Sequence, residues 1–165
     1  MDMPLDTDLE SFRYTVKLFI KINSTALISN KNSEHAKVIL EELFNDAKKT
    51  AYVYCGRISN EVWGGEAVAK AVKGAIDREV DVKFIVQHAN EIPKDSVVYK
   101  LLKPKDLVVS SPKFAEIKSH FAVFDSKRYR FEKDDAAKSA IVCMNNETVG
   151  GQLQKLAENL VAVAA

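Results

Sequence analysis

Apolar residues recur at two different periods along this chain of 165 residues, and the alternation between the periods predicts its architecture. Residues 9–22 place Leu9, Phe12, Val16, Phe19 and Ile20 three and four apart, as an amphipathic helix would. The β-branched and aromatic content of residues 14–22 keeps a strand open there as well. Residues 25–29 (TALIS) read as a short strand, and Asn32 or Ser33 then caps a helix with Ala36, Ile39, Leu40, Leu43, Phe44 and Ala47 on one face. A buried-type strand follows at 51–55, a helix at 61–78, a strand at 81–87, a short helix capped by Asp95 and running to residue 102, and a strand at 107–110. The last third holds two strands, 120–124 and 128–131, about a tight turn, then a strand at 139–144 and a helix from Asn145 or Asn146 to about residue 164.

Strands alternating with helices imply βαβ units, and three late strands with no helix between them imply an antiparallel portion. The expected fold class is α/β, a mixed β-sheet flanked by helices on both faces. Residues 1–23 are expected to be an N-terminal segment, partly helical or strand, ahead of a single domain at 24–165. The first ten residues are acidic, with Asp2, Asp6, Asp8 and Glu10.

A net charge of +1 makes no global argument for a polyanionic partner. The charge is uneven, however: residues 99–133 carry nine Lys/Arg against four acids. Cys55 and Cys143 each lie in an apolar run, which favours buried reduced thiols and leaves a disulfide between them open; neither has metal-ligand spacing. With no secretory leader and no apolar run long enough to span a membrane, a cytoplasmic location is expected. Gly64-Gly65 reads as a turn or a loose helix start, and Gly150-Gly151 as close packing of the last helix; neither fits a nucleotide fingerprint.

The candidate chemistry gathers in 118–132, KSHFAVFDSKRYRFE. Alternation puts Lys118, His120, Ala122 and Phe124 on one face of a strand, leaves Phe121 and Val123 to the core, and pairs Arg130 with Glu132 on one face of the next strand. An imidazole beside cations and a carboxylate could attack or hold a phosphoryl group. Equally, the charges could simply pair across the hairpin, His120 with Glu132. His88 closes a strand, where α/β sheets border their ligand crevice, whereas His35, in the first turn of a helix, is expected to be exposed.

The spacing Lys118-x-His120-x-x-x-x-Asp125 resembles the H-x-K-x-x-x-x-D motif of the phospholipase D (HKD) superfamily, with His and Lys exchanged. Residues 36–59, the segment AIDREVDVKFIVQHAN and the closing AIVCMNNETVGGQLQKLAENL resemble that superfamily as well, so the likeness covers about residues 25–160. It implies a phospholipase D-like fold, a phosphodiesterase or nuclease ancestry, and no metal or other cofactor. It also implies a homodimer, since members with one motif pair to complete a site. On this resemblance His120 and Glu132 are the catalytic candidates, Lys118 and Arg130 the phosphate-binding candidates, and Asp125 and Asn145 supporting residues. Because lysine stands at the nucleophile position and the usual G-S-x-N segment is replaced near Glu132 by E-K-D-D, the motif reads as degenerate. The expected function is binding of a phosphate-bearing ligand, nucleic acid or nucleotide, with little or no turnover. The alternatives are a metal-independent phosphodiesterase or nuclease using His120 and a non-catalytic protein-interaction module.

Overall fold

The computed structural model describes residues 5–133 and 139–165. Asp2 of the acidic N-terminal stretch and Asp134 and Asp135 of the E-K-D-D segment lie outside the described residues. Seven strands form one mixed sheet: β1 (Leu27–Asn30), β2 (Thr50–Cys55), β3 (Asp81–Val86), β4 (Val108–Ser110), β5 (His120–Phe124), β6 (Arg128–Glu132) and β7 (Ala140–Cys143). Their order across the sheet is β1-β7-β6-β5-β2-β3-β4. β2, β3 and β4 are parallel, as helical crossovers require, and β5, β6, β7 and β1 continue the sheet antiparallel to one another.

The helices are α1 (Leu5–Lys21), α2 (Ser33–Asp46), α3 (Asn60–Trp63), α4 (Glu66–Asp77), α5 (Val97–Leu102) and α6 (Glu147–Ala164). In α1 the three-and-four spacing prevails over the β-branched content, because Val16, Phe12 and Phe19 all pack into the core from one helix face. Arg13 fastens that helix to α2 through Glu41 at 2.8 Å and Glu42 at 2.9 Å. The helix expected at 61–78 is broken into α3 and α4 at Gly64-Gly65, where a side chain on Gly64 would collide with the Asn60 carbonyl. Ser96, rather than Asp95, caps α5 by accepting from the Tyr99 amide, while Asp95 accepts from Asn60. Asn32 caps α2 and Asn146 caps α6.

Two cores result, one on each face. Phe44, Trp63, Phe84 and Phe124 pack ring to ring beneath the α1–α5 layer. Tyr54, Ile85, Phe121 and Val123 pack beneath Leu153, Ala157 and Leu160 of α6. Both faces of β5 are therefore buried, Ala122 and Phe124 included, and only its first residue presents a polar side chain. Gly150 lies against the Ser126–Lys127 backbone with no room for a Cβ, so α6 crosses the hairpin turn at close range. Among the described residues no helix is long and apolar enough to cross a membrane.

Candidate functional site

The carboxyl ends of β1, β2, β3 and β6 meet the amino end of β5 at one edge of the sheet, and a pocket of about 370 Å³ opens there. Open α/β sheets place ligand crevices at such an edge. Ser33 and Ala36 from the first turn of α2 line one wall. The loop after β2 (Cys55, Gly56, Arg57, Ile58, Ser59) lines another, with His88 and Glu91 at the rim. His120, Arg130 and Glu132 complete the lining.

The β2–α3 loop is held in an uncommon conformation. Ile58 has φ 55°, a left-handed value costly for a β-branched residue, and it stays there because its side chain is fully buried in the core. Burial pushes the Cys55 thiol up to about 12, so at neutral pH it is a protonated wall residue and not a nucleophile. Cys143 is buried on the other face of the sheet, and both cysteines are free.

Burial of three polar side chains at one place distinguishes this edge. His120, Arg130 and Glu132 are exposed by only 8%, 8% and 6%. His120 lies opposite Glu132 in the β5–β6 register. Arg130 Nη2 meets Glu132 Oε2 at 3.2 Å, and Arg130 Nε donates to Asn30 Oδ1 at 2.8 Å. Burial lowers the arginine's affinity for its proton and Glu132 opposes that shift; the guanidinium remains a cation at any physiological pH. Asn30 in turn donates to the Asn32 carbonyl at 2.9 Å, so the guanidinium is tied to the residue that caps α2. A cation, an imidazole and the positive end of a helix of 14 residues thus converge on one cavity, which suits an anionic group.

The structure divides the six candidates. His120, Arg130 and Glu132 come together. Lys118 precedes β5, because the chain enters that strand from a 3-10 turn (Pro112–Glu116) and an extended link; it is exposed and does not line the pocket. It stays at the pocket end of the hairpin, near Lys133, whose carbonyl accepts from Ser119. Asp125 and Asn145 lie at the opposite end of the sheet. Asp125 accepts from the Lys48, Lys49 and Thr50 amides, and Asn145 is half-buried beside the α6 cap. His88 lies on the rim, its Nδ1 3.7 Å from Glu91. His35, expected in solvent, is half-buried and stacked on Phe12 at 4.0 Å. Sequence reasoning missed Asn30, Arg57, Ser59 and Gln87; each ends a strand or begins the loop after it, a position that could have marked them.

The fold is phospholipase D-like, a mixed seven-stranded sheet with helices on both faces. TrmBL2, an archaeal chromatin protein with a novel mode of DNA binding, superposes with a TM-score of 0.63 at 12% identity, over 97% of this chain and 62% of that one. Nuc from Salmonella typhimurium, a phospholipase D family member, superposes with a TM-score of 0.59 at 14% identity, over 84% of this chain and 94% of Nuc. NucT from Helicobacter pylori gives 0.59 at 12% identity, over 83% and 94%. At such identities the likeness is one of fold, and this chain spans less than two thirds of the chromatin protein. No protein-family profile and no curated protein sequence matches the chain.

Proposed function

We propose that this protein binds a phosphate-bearing ligand, nucleic acid or nucleotide, in the pocket at the open end of the β5–β6 hairpin, with little or no turnover. The observation that carries this reading is the convergence of buried His120, Arg130 and Glu132 on one cavity beside the start of α2. Arg130 would contact phosphate oxygens, and exposed Arg57, Lys118 and Lys133 would extend the contact along a backbone. Asp125 and Asn145 would serve the framework at the far end. The DNA binding of the chromatin protein of like fold favours nucleic acid as the ligand. Weak turnover follows from the exchanged motif: the lysine at the nucleophile position is exposed and does not line the pocket. A homodimer is part of the reading, because a single motif supplies half of the paired site that the superfamily builds.

Titration of the protein with inorganic phosphate, a nucleoside monophosphate and single- and double-stranded oligonucleotides, at two salt concentrations, tests the proposal. Binding that weakens steeply with salt is expected, with no hydrolysis of bis-p-nitrophenyl phosphate. Absence of binding at low salt would overturn it. Turnover lost in His120→Ala would instead establish the metal-independent phosphodiesterase reading, which the fold shared with Nuc keeps in view.

A further inference from the structure

Gln87 follows β3 directly, and its side chain is fixed at both ends. Its amide nitrogen donates to the Phe114 carbonyl at 3.2 Å and the Ala115 carbonyl at 3.0 Å. The Phe114 carbonyl is itself held, since the Tyr54 hydroxyl shares its hydrogen between that carbonyl at 3.1 Å and the Ile117 carbonyl at 2.8 Å. The opposite amide orientation would set an oxygen against two carbonyl oxygens with no hydrogen between them, so hydrogen-bond chemistry assigns the observed one. Oε1 of Gln87 therefore faces His120 Nε2, at 3.1 Å. An amide oxygen can only accept. The hydrogen in that bond must belong to His120.

We infer that Gln87 is a positioning residue that holds His120 with its Nε2 protonated, whether the imidazole is neutral or charged. A nitrogen bearing a hydrogen has no lone pair with which to attack phosphorus or take up a proton. Gln87 thus withholds one of the two imidazole nitrogens from nucleophilic chemistry and leaves His120 a donor. The inference deepens the binding reading, on which it rests only in placing His120 in the ligand pocket, and it supplies a physical reason for weak turnover. The ionisable groups around the imidazole are Glu132 across the hairpin, Arg130 and Arg57 in the lining, the Cys55 thiol, and the Tyr54 ring at 5.5 Å.

Long-range 1H–15N NMR correlations read which imidazole nitrogen carries hydrogen. With three histidines in the chain, His120 is assigned by the signal lost in His120→Gln. The unliganded full chain should show a protonated Nε2 at His120 from about pH 6 to about pH 9, across the range where an ordinary histidine titrates. Gln87→Leu, which removes the acceptor, should lower the Nε2-protonated population. An unprotonated Nε2 in the wild type overturns the inference, and so does a Gln87→Leu protein with native near-ultraviolet circular dichroism and unchanged correlations. The wild-type spectrum decides the matter even if the leucine variant does not fold. Phosphate titration of the same sample separates the two claims: failure to bind defeats the functional reading and leaves the tautomer assignment standing.

Discussion

Two arginines lie two residues apart on β6, almost equally buried, and they serve opposite ends of the molecule. Arg128, 7% exposed, donates to Asp46 and Asn23 and to the Met144 carbonyl. It draws together the end of α2, the turn after α1 and the end of β7, and it does not line the pocket. Arg130, 8% exposed, donates to Asn30 and pairs with Glu132, and it lines a pocket. Burial, charge and hydrogen bonding are alike at both residues, so none of these marks a site. The difference is access: one guanidinium is walled in by framework, and the other borders a space that a ligand can enter. The hairpin repeats the contrast on a larger scale, with a structural turn at one end and converging polar groups at the other.

The largest effects should come from breaking the arginines separately. Arg130→Leu removes the cation 3.2 Å from buried Glu132 and should cost about 3–5 kcal/mol, measured by urea unfolding. The double substitution Arg130→Leu with Glu132→Leu removes both charges and should recover most of that stability, yet phosphate binding should stay lost. Recovery of binding along with stability would mean that Arg130 is framework like Arg128, and the contrast would collapse.

Arg128→Leu should cost somewhat less, about 3 kcal/mol, because Asp46 can turn to solvent while the Met144 carbonyl loses its donor. At a temperature where this variant remains folded, its affinity for phosphate should be unchanged. A tenfold loss there would couple the two ends of β6 and break the comparison from the other side.

The contrast also explains what could be read from the sequence. Period and punctuation were enough for the sheet order's two regimes, parallel then antiparallel, because each helix or its absence dictates strand direction. The hairpin was legible too, and His120, Arg130 and Glu132 with it, since polar residues in a strand flanked by Phe121 and Phe131 need a reason. The start of the strand at His120 was legible as well; what alternation could not convey was where the residues before it point. It placed Lys118 beside His120, but β5 starts at His120 and the lysine falls outside its pleat. Nor could it show that Asp125 faces the far end, since a motif's spacing is one-dimensional and a hairpin separates its turn from its open end by the full strand length. Gln87 and Asn30 were invisible because their roles depend on contacts 33 and 100 residues away.

At the turn end, Asp125 supplies the next test. Its carboxylate accepts from three successive amides, at 3.1 Å from Lys48, 2.7 Å from Lys49 and 3.1 Å from Thr50, and its φ of 54° suits an aspartate better than most residues. Asp125→Ala should cost about 2 kcal/mol, the bonds being partly solvent-screened, with ligand affinity unaltered in a titration of the folded variant. A change in affinity would show that the motif's aspartate acts on the site and not only on the hairpin.

The smallest effect is expected from alkaline pH, and it should begin at the pocket end. Burial raises the Cys55 thiol from about 9 to about 12 and the Tyr54 hydroxyl from about 10 to about 12. Both groups thus bind their protons more tightly in the folded chain than in the unfolded one. Their contribution is complete below about pH 9 and fades as pH rises toward 12, because the unfolded state ionises first. Melting temperature should therefore be insensitive to these groups between pH 7 and about 9 and fall by a few degrees above about 10. Cys55→Ala removes one of them and should move the alkaline decline upward. Tyr54 also holds the Phe114 and Ile117 carbonyls, which fix the segment that delivers His120. Hence the part of the tyrosinate absorbance that Tyr54→Phe removes should coincide, in the wild type, with loss of the protonated-Nε2 signal of His120. A His120 signal that survives tyrosine ionisation would show that Gln87 keeps its orientation without Tyr54, and would narrow the pocket's support to the two residues in direct contact.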